Sequence, residues 1–324
     1  ETIIEKGFSQ TTNYTKHDFL TGQILEVETV DSKGNQFKTE LIPAYTKYSI
    51  MGAKVDNITN KNMLTQETMS KTYLKVNDQW KETGVGISTW NNEWTYTNQV
   101  GTHTSPTNSD EKVWRKHKTY TWQGDLNSDG TLQAYTDNFD WSLSASAQAS
   151  QWKQLSEITK YNHYSMSLEI EDINSNRAAT KTGDNSSKVL ATGNARYGEM
   201  FYTGAEYESP TIAPTYIDQQ IKMDNGAIRT SSKFHTGKYS VEVPVGGRLG
   251  AIYKGNEYRT GKYKISVWVH KENHLNARIQ GVPFNGEIIP AGDWVLMNHY
   301  ITFSTNTVLT IFTGAFSGLA LLRT

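Results

Sequence analysis

The feature that most constrains this chain is a recurrence of short runs rich in Thr, Tyr, Trp, Val and Ile, separated by clusters of Asn, Asp, Gly and Ser. β-Branched and aromatic residues favour extended strands, whereas the separating residues favour tight turns. Residues 24–30 and 36–41 flank the turn residues 31–35, which predicts a β-hairpin. Because long helical stripes are missing, we expect short helices or irregular segments only at 65–75 and 138–153.

Two further stretches follow the same pattern. Recurring hairpins of this kind predict a repeat array, in which each unit packs against its neighbours in sequence. The second stretch has residues 118–122 and 131–135 around the turn 125–130, and the third has residues 155–164, 165–170 and 177–180, with a turn at 172–176.

A change of pattern predicts two domains. Pro210 and Pro214 interrupt the rhythm of strands, and we therefore place the boundary between residues 207 and 208. Residues 1–207 are expected to form the hairpin-repeat sheet and residues 208–324 a β-sandwich of the jelly-roll kind, so the predicted fold class is all-β. The strands expected in the second domain are 237–243, 261–269, 294–303 and 308–312.

Composition excludes several classes of protein. The 32 basic and 33 acidic side chains give a net charge of −1, so no general attraction to nucleic acid is expected. The absence of cysteine excludes disulfides, thiolate zinc sites and thiol nucleophiles, and is compatible with a bacterial surface protein. The sequence has no run of about 18 apolar residues, so no membrane-spanning helix is predicted. The start at Glu1 and the apolar run 319–324 at the end favour a processed or excised segment.

Two parts of the chain resemble units of the RHS or YD-repeat family. The first comprises residues 14–18, 21–25 and the turn 31–35, and the second comprises 161–164, 167–169 and the turn 172–176. Ser175 stands where the family often has glycine.

The resemblance continues beyond the repeats. Residues 187–206 look like the segment that leads from the repeats into a jelly roll in large YD-repeat proteins of Bacteroidetes-type bacteria. Residues 235–243 and 261–269 are similar to the early strands of galactose-binding-like modules. This resemblance implies a large polypeptide, secreted or on the extracellular side of the outer membrane. Its repeats would coil into a β-sheet shell that often encloses a toxin or presents an adhesive surface.

We therefore expect a non-enzymatic structural segment, part of the shell or stalk of such a protein. Its partners would be the remainder of the parent polypeptide or other surface and secretion proteins. One alternative is a carbohydrate-binding adhesin that acts through the jelly roll, with glycans as partners. Another is a cargo or accessory subunit of an outer-membrane secretion machine. The sequence has no His-Glu-x-x-His motif, nucleophile elbow, phosphate loop or dinucleotide fingerprint that would favour an enzyme.

One local pattern matches the first half of a calcium loop. Asp125, Asn127 and Asp129 supply oxygen ligands at alternate positions, and Gly130 allows the sharp bend. The twelfth place, where a carboxylate should close the loop, holds Thr136. Because a hairpin turn needs the same residue types, a structural turn is the favoured interpretation and calcium the alternative. No other cofactor is expected.

Aromatic residues supply the candidate sugar site of the jelly roll. A sugar ring can stack on an exposed aromatic ring while polar side chains bind its hydroxyls. Trp294 is alternatively a packing residue, and Trp268 is expected in the core. The candidates are Tyr253, Tyr258, Arg259, Asn285 and Trp294, with Arg248 and Asn256 as polar helpers. A single hydrophobic spine between hairpins is expected from Trp80, Trp90, Trp94, Trp114 and Trp122.

Overall fold

The computed structural model of the protein is built almost wholly from β-strands, which confirms the predicted all-β class. It describes residues 2–5, 8–94, 96–97, 102–103, 112–142, 148–183, 187–206, 216–217, 221–251, 261–279, 282–303 and 309–323. The predicted domain boundary at 207/208 lies outside these residues.

The strands are numbered in chain order. The first ten are β1 Thr2–Glu5, β2 Phe8–His17, β3 Ile24–Val30, β4 Gln36–Pro43, β5 Glu67–Val76, β6 Gln79–Asn91, β7 Tyr96–Thr97, β8 Thr102–His103, β9 Arg115–Trp122 and β10 Trp152–Tyr161. The others are β11 Ser167–Asp172, β12 Arg177–Gly183, β13 Lys188–Gly193, β14 Phe201–Thr203, β15 Tyr216–Ile217, β16 Ile221–Asp224, β17 Ile228–Thr230, β18 Ser240–Ala251, β19 Gly261–His270, β20 Arg278–Ile279, β21 Ile288–Ala291, β22 Trp294–Phe303 and β23 Leu309–Arg323.

Among the residues that the structure describes, helical structure is limited to single 3₁₀ turns. These are Ala44–Thr46, Ser49–Met51, Tyr197–Glu199 and His274–Asn276. In the described part of the chain, no helix is long and apolar enough to span a membrane. Internal contacts divide the chain into unit 1, Glu1–Trp94 with Ser105–Ile158, and unit 2, Thr95–Thr104 with Thr159–Thr324.

Unit 1 is an antiparallel sheet in which strands adjacent in sequence are also adjacent in space. Strands β1 to β6 pair in chain order, β6 then pairs with β9, and β9 with β10. The register of β3 to β6 places Thr29, Phe37, Leu74 and Lys81 in one row across four strands. Each strand therefore satisfies its backbone hydrogen bonds mainly through its neighbours in the sequence.

Two aromatic clusters form the buried core of unit 1. In the first, Trp122 and Trp152 meet edge to face at 5.2 Å, with Met69 and Ile87 packed beside them. The second cluster includes Trp114, Tyr48, Met51 and Ala44, and Trp141 packs against both clusters. Edge-to-face aromatic contacts add to the stabilisation that comes from apolar burial.

The predicted tryptophan spine is wrong as a single feature, because these five side chains occupy different environments. Trp122 belongs to the first cluster and Trp114 to the second, with Trp90 packed against that second cluster. Trp94 is buried beside the His117 ring. Trp80 lies under the ammonium groups of two lysines, Lys38 and Lys75.

Unit 2 contains an antiparallel meander and a ten-stranded sheet. The meander consists of β11, β12 and β13. The ten-stranded sheet has the order β15-β16-β18-β23-β19-β22-β21, while β14 and β20 also pair with β23 and β17 with β18. The strands predicted from residues 237–243, 261–269, 294–303 and 308–312 correspond to β18, β19, β22 and β23.

Alternate residues of β19 form the centre of the core of the ten-stranded sheet. Tyr263, Ile265, Val267 and Val269 are each 0% exposed. Because successive side chains of a strand point to opposite faces, the intervening residues lie on the other face. Trp268 is one of them and is only partly buried, so its predicted place in the core is wrong.

A five-residue turn with one backbone pattern recurs in the described chain. In residues 31–35, the N–H of the first residue donates to the carbonyl of the fifth, and the N–H of the fourth residue donates to the carbonyl of the first, both at 3.0 Å. The same two hydrogen bonds occur in residues 127–131, 162–166 and 172–176. The fourth residue always has positive φ, as is typical of a type I turn followed by a bulge residue.

Side-chain hydrogen bonds stabilise two of these turns in the same way. Asp31 accepts from the backbone N–H of Lys33 and Asn35, each at 2.9 Å. Asp172 accepts from Asn174 and Asn176, each at 2.8 Å. These hydrogen bonds hold the pKa of both carboxyls below the usual value, and the side-chain amides of Asn35 and Asn176 make the largest contributions.

Ser175, which stands where the repeat family often has glycine, forms the same turn as a glycine does at the equivalent position. Gly34 has φ +82° at the fourth position, and Ser175 adopts φ +61° at the equivalent place. The hairpins predicted around residues 31–35 and 172–176 are therefore confirmed. A non-glycine residue in this conformation is strained, since its Cβ approaches the backbone too closely.

Two local predictions are wrong. Residues 65–75 are mainly strand β5, because this segment pairs with β4 on one side and β6 on the other. Residues 118–122 do not pair with 131–135, because β9 is already paired with β6 and β10 along its two edges. Instead, Leu126 and Leu132 form an isolated bridge around a smaller turn.

The recurring turn predicts different effects on stability for Gly34→Ser and Ser175→Gly. Gly34→Ser should lower the free energy of unfolding by about 1 kcal/mol, because serine must adopt the left-handed conformation. Ser175→Gly should leave stability unchanged or raise it, since it removes the same strain. Urea unfolding of both variants measures the difference. A Gly34→Ser variant as stable as the parent chain would contradict this account.

Candidate functional site

The candidate site in unit 2 begins with a large bulge in β18. Val243 pairs with Gly314 and Arg248 with Phe312. Between these two pairs, the chain advances five residues along β18 but only two along β23. The extra residues protrude from the sheet, and Val245 at their tip is 97% exposed. Bulges of this kind redirect side chains and are common next to functional sites.

Local sequence explains why the chain bulges here. Pro244 has no N–H with which to continue the ladder of backbone hydrogen bonds. Gly246 has φ +82°, which favours glycine. A Cβ on Gly247 would lie 2.8 Å from the Pro244 ring and 3.0 Å from its carbonyl oxygen, so only glycine fits without rearrangement.

The bulge forms one wall of a surface groove with a volume of about 580 Å³. The wall consists of Val243, Pro244 and Val245, and Glu242 lies beside it. The remaining lining is polar and comes from the end of β17 and the segment after it, from the segment after β19 and from β20: Thr230, Ser232, Lys233, Asn273, Asn276 and Arg278. The groove therefore combines an apolar wall with hydroxyl, amide and charged groups.

The charged groups at the groove are held in place. Lys233 Nζ lies 2.6 Å from Glu272 Oε2, and His270 Nδ1 lies 3.4 Å from the same oxygen. The ammonium of Lys233 holds the pKa of the Glu272 carboxyl below its usual value. Arg278 Nη1 donates to the carbonyls of Leu275 and Ala277 at 2.7 and 2.8 Å.

An aromatic cluster supports the segment that carries Lys233. The ring of His235 stacks on Trp268 with 3.9 Å between centroids and 15° between planes. Trp294 meets His235 and His270 edge to face, at 6.0 and 5.4 Å. Burial lowers the pKa of His235. Residues 233–235 are thus anchored at one end by an ion pair and at the other by ring stacking.

The structure describes two of the five residues predicted to bind sugar, Asn285 and Trp294. Trp294 is 6% exposed, so its ring packs inside the cluster, in agreement with the packing alternative. Asn285 uses its side chain on the backbone of Tyr300, donating at 3.0 Å and accepting at 2.8 Å. Arg248 is exposed at the end of the bulge. Tyr253, Tyr258, Arg259 and Asn256 lie outside the described residues.

The calcium-like pattern forms one of the recurring turns. Asp129 Oδ1 accepts from the backbone N–H and the hydroxyl of Thr131, at 3.0 and 2.6 Å. Asn127 donates its amide to the same hydroxyl at 2.9 Å, and Gly130 has φ +82°. Asn127, Asp129 and Gly130 of the motif therefore each help to form the turn itself. A calcium site that also includes Asp125 stays a prediction.

A second charged cluster lies in unit 1. Glu157 contacts the His117 ring at 3.2 Å and the Lys118 ammonium at 3.4 Å. The hydrogen bond from His117, followed by the charge of Lys118, lowers the pKa of Glu157 to about 2. Among the residues that the structure describes, no group of three or more His, Asp or Glu side chains could hold a metal ion.

The groove was not predicted from the sequence. Gly246 and Gly247 look like ordinary turn glycines, although Pro244 just before them was a usable signal of an interrupted strand. The other lining residues, such as Arg278, are distant from the bulge in the sequence and meet it only after folding.

Comparisons with known proteins do not assign a family. No family model matches the chain, and no curated protein matches it. Among solved structures, it is similar to an exo-β-1,3-galactanase from Phanerochaete chrysosporium with galactose. That match has a TM-score of 0.23 and 8% identity, and covers 99% of this chain and 80% of the galactanase chain. Similarity at this level carries no argument about fold or function.

Asp129 provides a test that separates the turn from a calcium site. Asp129→Ala removes the acceptor for both Thr131 hydrogen bonds, so it should lower the melting temperature in calcium-free buffer. If the residue acts only in the turn, adding calcium should not change the difference between the variant and the parent chain. A parent chain whose melting temperature rises with calcium, while that of the variant does not, would instead establish the calcium site.

Proposed function

We propose that the chain is a non-enzymatic structural segment of a large secreted or cell-surface protein of the RHS or YD-repeat type. Unit 1 and the meander of unit 2 would contribute to its shell or stalk, and the ten-stranded sheet would be a module displayed with it. The observation that carries this proposal is the recurring five-residue turn, which joins β3 to β4, β10 to β11 and β11 to β12.

The recurring turn supports a structural role because it permits serial extension. Each turn returns the chain antiparallel to the preceding strand, and the new strand offers a free edge to the next hairpin. Stability in such an array comes from contacts between neighbouring units. The pairing of β1 to β6 in chain order fits this principle.

The repeat resemblance agrees with the positions of these turns. Residues 161–164 and 172–176, two of the segments that resemble the family, fall on the turn after β10 and the turn after β11. The family resemblance supplies the proposed setting, a secreted shell outside the outer membrane. The remainder of the parent polypeptide would then be the main partner.

Three of the described carboxylates have roles within the fold that fit a structural segment. Asp31 and Asp172 accept hydrogen bonds inside turns. Glu169 is 1% exposed and pairs with Arg177 at 2.6 Å, while it also accepts from the backbone N–H of Tyr197 at 2.5 Å. These groups stabilise the local fold, and that role accounts for the hydrogen bonds they accept.

The size and location of the native protein test this proposal. Antibodies raised against the chain should detect, in the source organism, a polypeptide much larger than 36.5 kDa. That polypeptide should be sensitive to protease added outside intact cells, or be found in the culture medium. An abundant cytoplasmic protein should be protected in the same samples, as a control. A product of about 36.5 kDa that is confined to the cytoplasm would contradict the proposal.

A further inference from the structure

Two loops place large apolar side chains in solvent at one end of the unit 1 sheet. In the turn 18–23 between β2 and β3, Phe19 is 99% exposed and Leu20 45%. In the loop 44–66 between β4 and β5, Val55 is 91% exposed and Ile58 82%. Single exposed apolar side chains are ordinary, but several at one place are typical of a surface that contacts a partner or a membrane.

The order of the strands brings the two loops to the same end of the sheet. Strands β2 and β4 run towards this end and β3 and β5 away from it, because these strands pair antiparallel in chain order. Tyr45 Oη donates to Asp18 Oδ1 at 2.8 Å, which joins the loop to the turn. Gln23 Nε2 donates to Glu67 Oε1 at 3.1 Å beside them. The four exposed residues therefore belong to one surface feature, which we call the apolar tip: Phe19, Leu20, Val55 and Ile58.

Hydrogen bonds within each loop hold the apolar tip in its exposed position. In the loop 44–66, the Ala53 carbonyl accepts from the backbone N–H of Asp56 at 3.2 Å. It also accepts from the side-chain amide of Asn60, a buried residue, at 2.9 Å. In the turn 18–23, Asp18 Oδ1 accepts from the backbone N–H of Leu20 at 3.2 Å. The backbone that carries the exposed side chains is consequently fixed by its own loop.

These internal hydrogen bonds suit contact with a lipid bilayer. A backbone group that leaves water without a partner opposes insertion, whereas a group that is already hydrogen-bonded within its loop does so much less. Side chains that project from a loop can enter the fluid acyl region directly. A protein partner, in contrast, must supply a matching pocket for each projecting side chain.

Charged groups next to the apolar tip favour anionic headgroups. Lys47 and Lys54 are exposed in the loop 44–66, and Lys61 is half-buried there. The acidic residues of the two loops are Asp56, which is exposed, and Asp18, which is buried within its turn. Lysines therefore outnumber the exposed carboxylates, and a lysine close to a bilayer is attracted to anionic lipids.

We propose that the apolar tip of unit 1 inserts shallowly into an anionic lipid bilayer, with Phe19 and Ile58 in the acyl region and Lys54 at the headgroups. The main driving force is the removal of exposed apolar surface from water. Contact through two loops gives reversible binding at the bilayer surface and needs no membrane-spanning segment. This membrane contact does not depend on whether the chain belongs to a larger repeat protein.

Co-flotation with lipid vesicles tests the proposal. The probes are vesicles of phosphatidylcholine alone and vesicles of phosphatidylcholine mixed with phosphatidylglycerol. The full chain should float with the mixed vesicles at low salt. Binding to the phosphatidylcholine vesicles should be several-fold weaker, because the lysines then meet no net negative charge.

Substitutions locate the contact on the chain. Phe19→Asp and Ile58→Asp should each weaken binding to the mixed vesicles about tenfold or more, because a charged side chain is costly in the acyl region. Both positions are exposed, so the melting temperature should stay that of the parent chain. The matched control is Leu126→Asp, which should leave binding unchanged. Leu126 is 59% exposed and bridges Leu132, whose N–H donates to Glu82 near the start of β6, away from the apolar tip.

A fluorescent label reports on the apolar tip itself. The chain has no cysteine, so Ile58→Cys and Leu126→Cys each provide a single site for an environment-sensitive thiol label. When the chain binds mixed vesicles, emission from the label at position 58 should shift to shorter wavelength, because the label leaves water. Emission from the label at position 126 should not change.

Three results would overturn the proposal. The first is the absence of flotation with the mixed vesicles; if the chain then self-associates and Phe19→Asp abolishes this, a second copy covers the apolar tip instead. The second is flotation that Phe19→Asp and Ile58→Asp both leave unchanged. The third is a label at position 58 that keeps its aqueous emission while the chain is bound to vesicles.

Discussion

Backbone hydrogen bonding between strands that follow one another in the sequence is the interaction on which unit 1 and the meander of unit 2 depend. Each buried N–H and C=O group needs a partner, and a five-residue turn supplies one by folding the next strand back at once. The turn requires one residue with positive φ, which is Gly34 in one hairpin and Ser175 in another. Once the strands pair, alternation decides which side chains reach the core, as with Ile265 and Val267 of β19.

The features with functional potential lie where this regular pairing is interrupted. Strand β18 pairs with β23 on both sides of its bulge, and the bulge itself projects Val245 into solvent. The groove that results is also lined by residues outside the paired strands, including Lys233. A repeating sheet can therefore supply a stable framework, while an irregularity within one strand supplies a surface that distinguishes one chain from another.

How much of this could be predicted depended on the range of the interactions involved. The hairpin of residues 24–41 was predictable because Asp31 and Asn35 determine its turn locally. The strand at residues 67–76 was not, because its conformation depends on pairing with two other strands. The alternation of side chains along β19 showed that the strand has two faces but did not reveal which face is buried. Trp268 was therefore predicted on the wrong face. Pro244 signals the interruption of β18, but the groove also depends on contacts between distant segments, and these contacts leave no signature in local sequence.

Backbone NMR of isotope-labelled protein tests the pairing of consecutive strands most directly. The register predicts cross-strand contacts from Thr29 to Phe37, from Phe37 to Leu74 and from Leu74 to Lys81. Amides along residues 67–76 should also exchange slowly with solvent, because they are paired within the sheet. Contacts between residues three and four apart along this segment, without the cross-strand contacts, would show a helix and contradict the account.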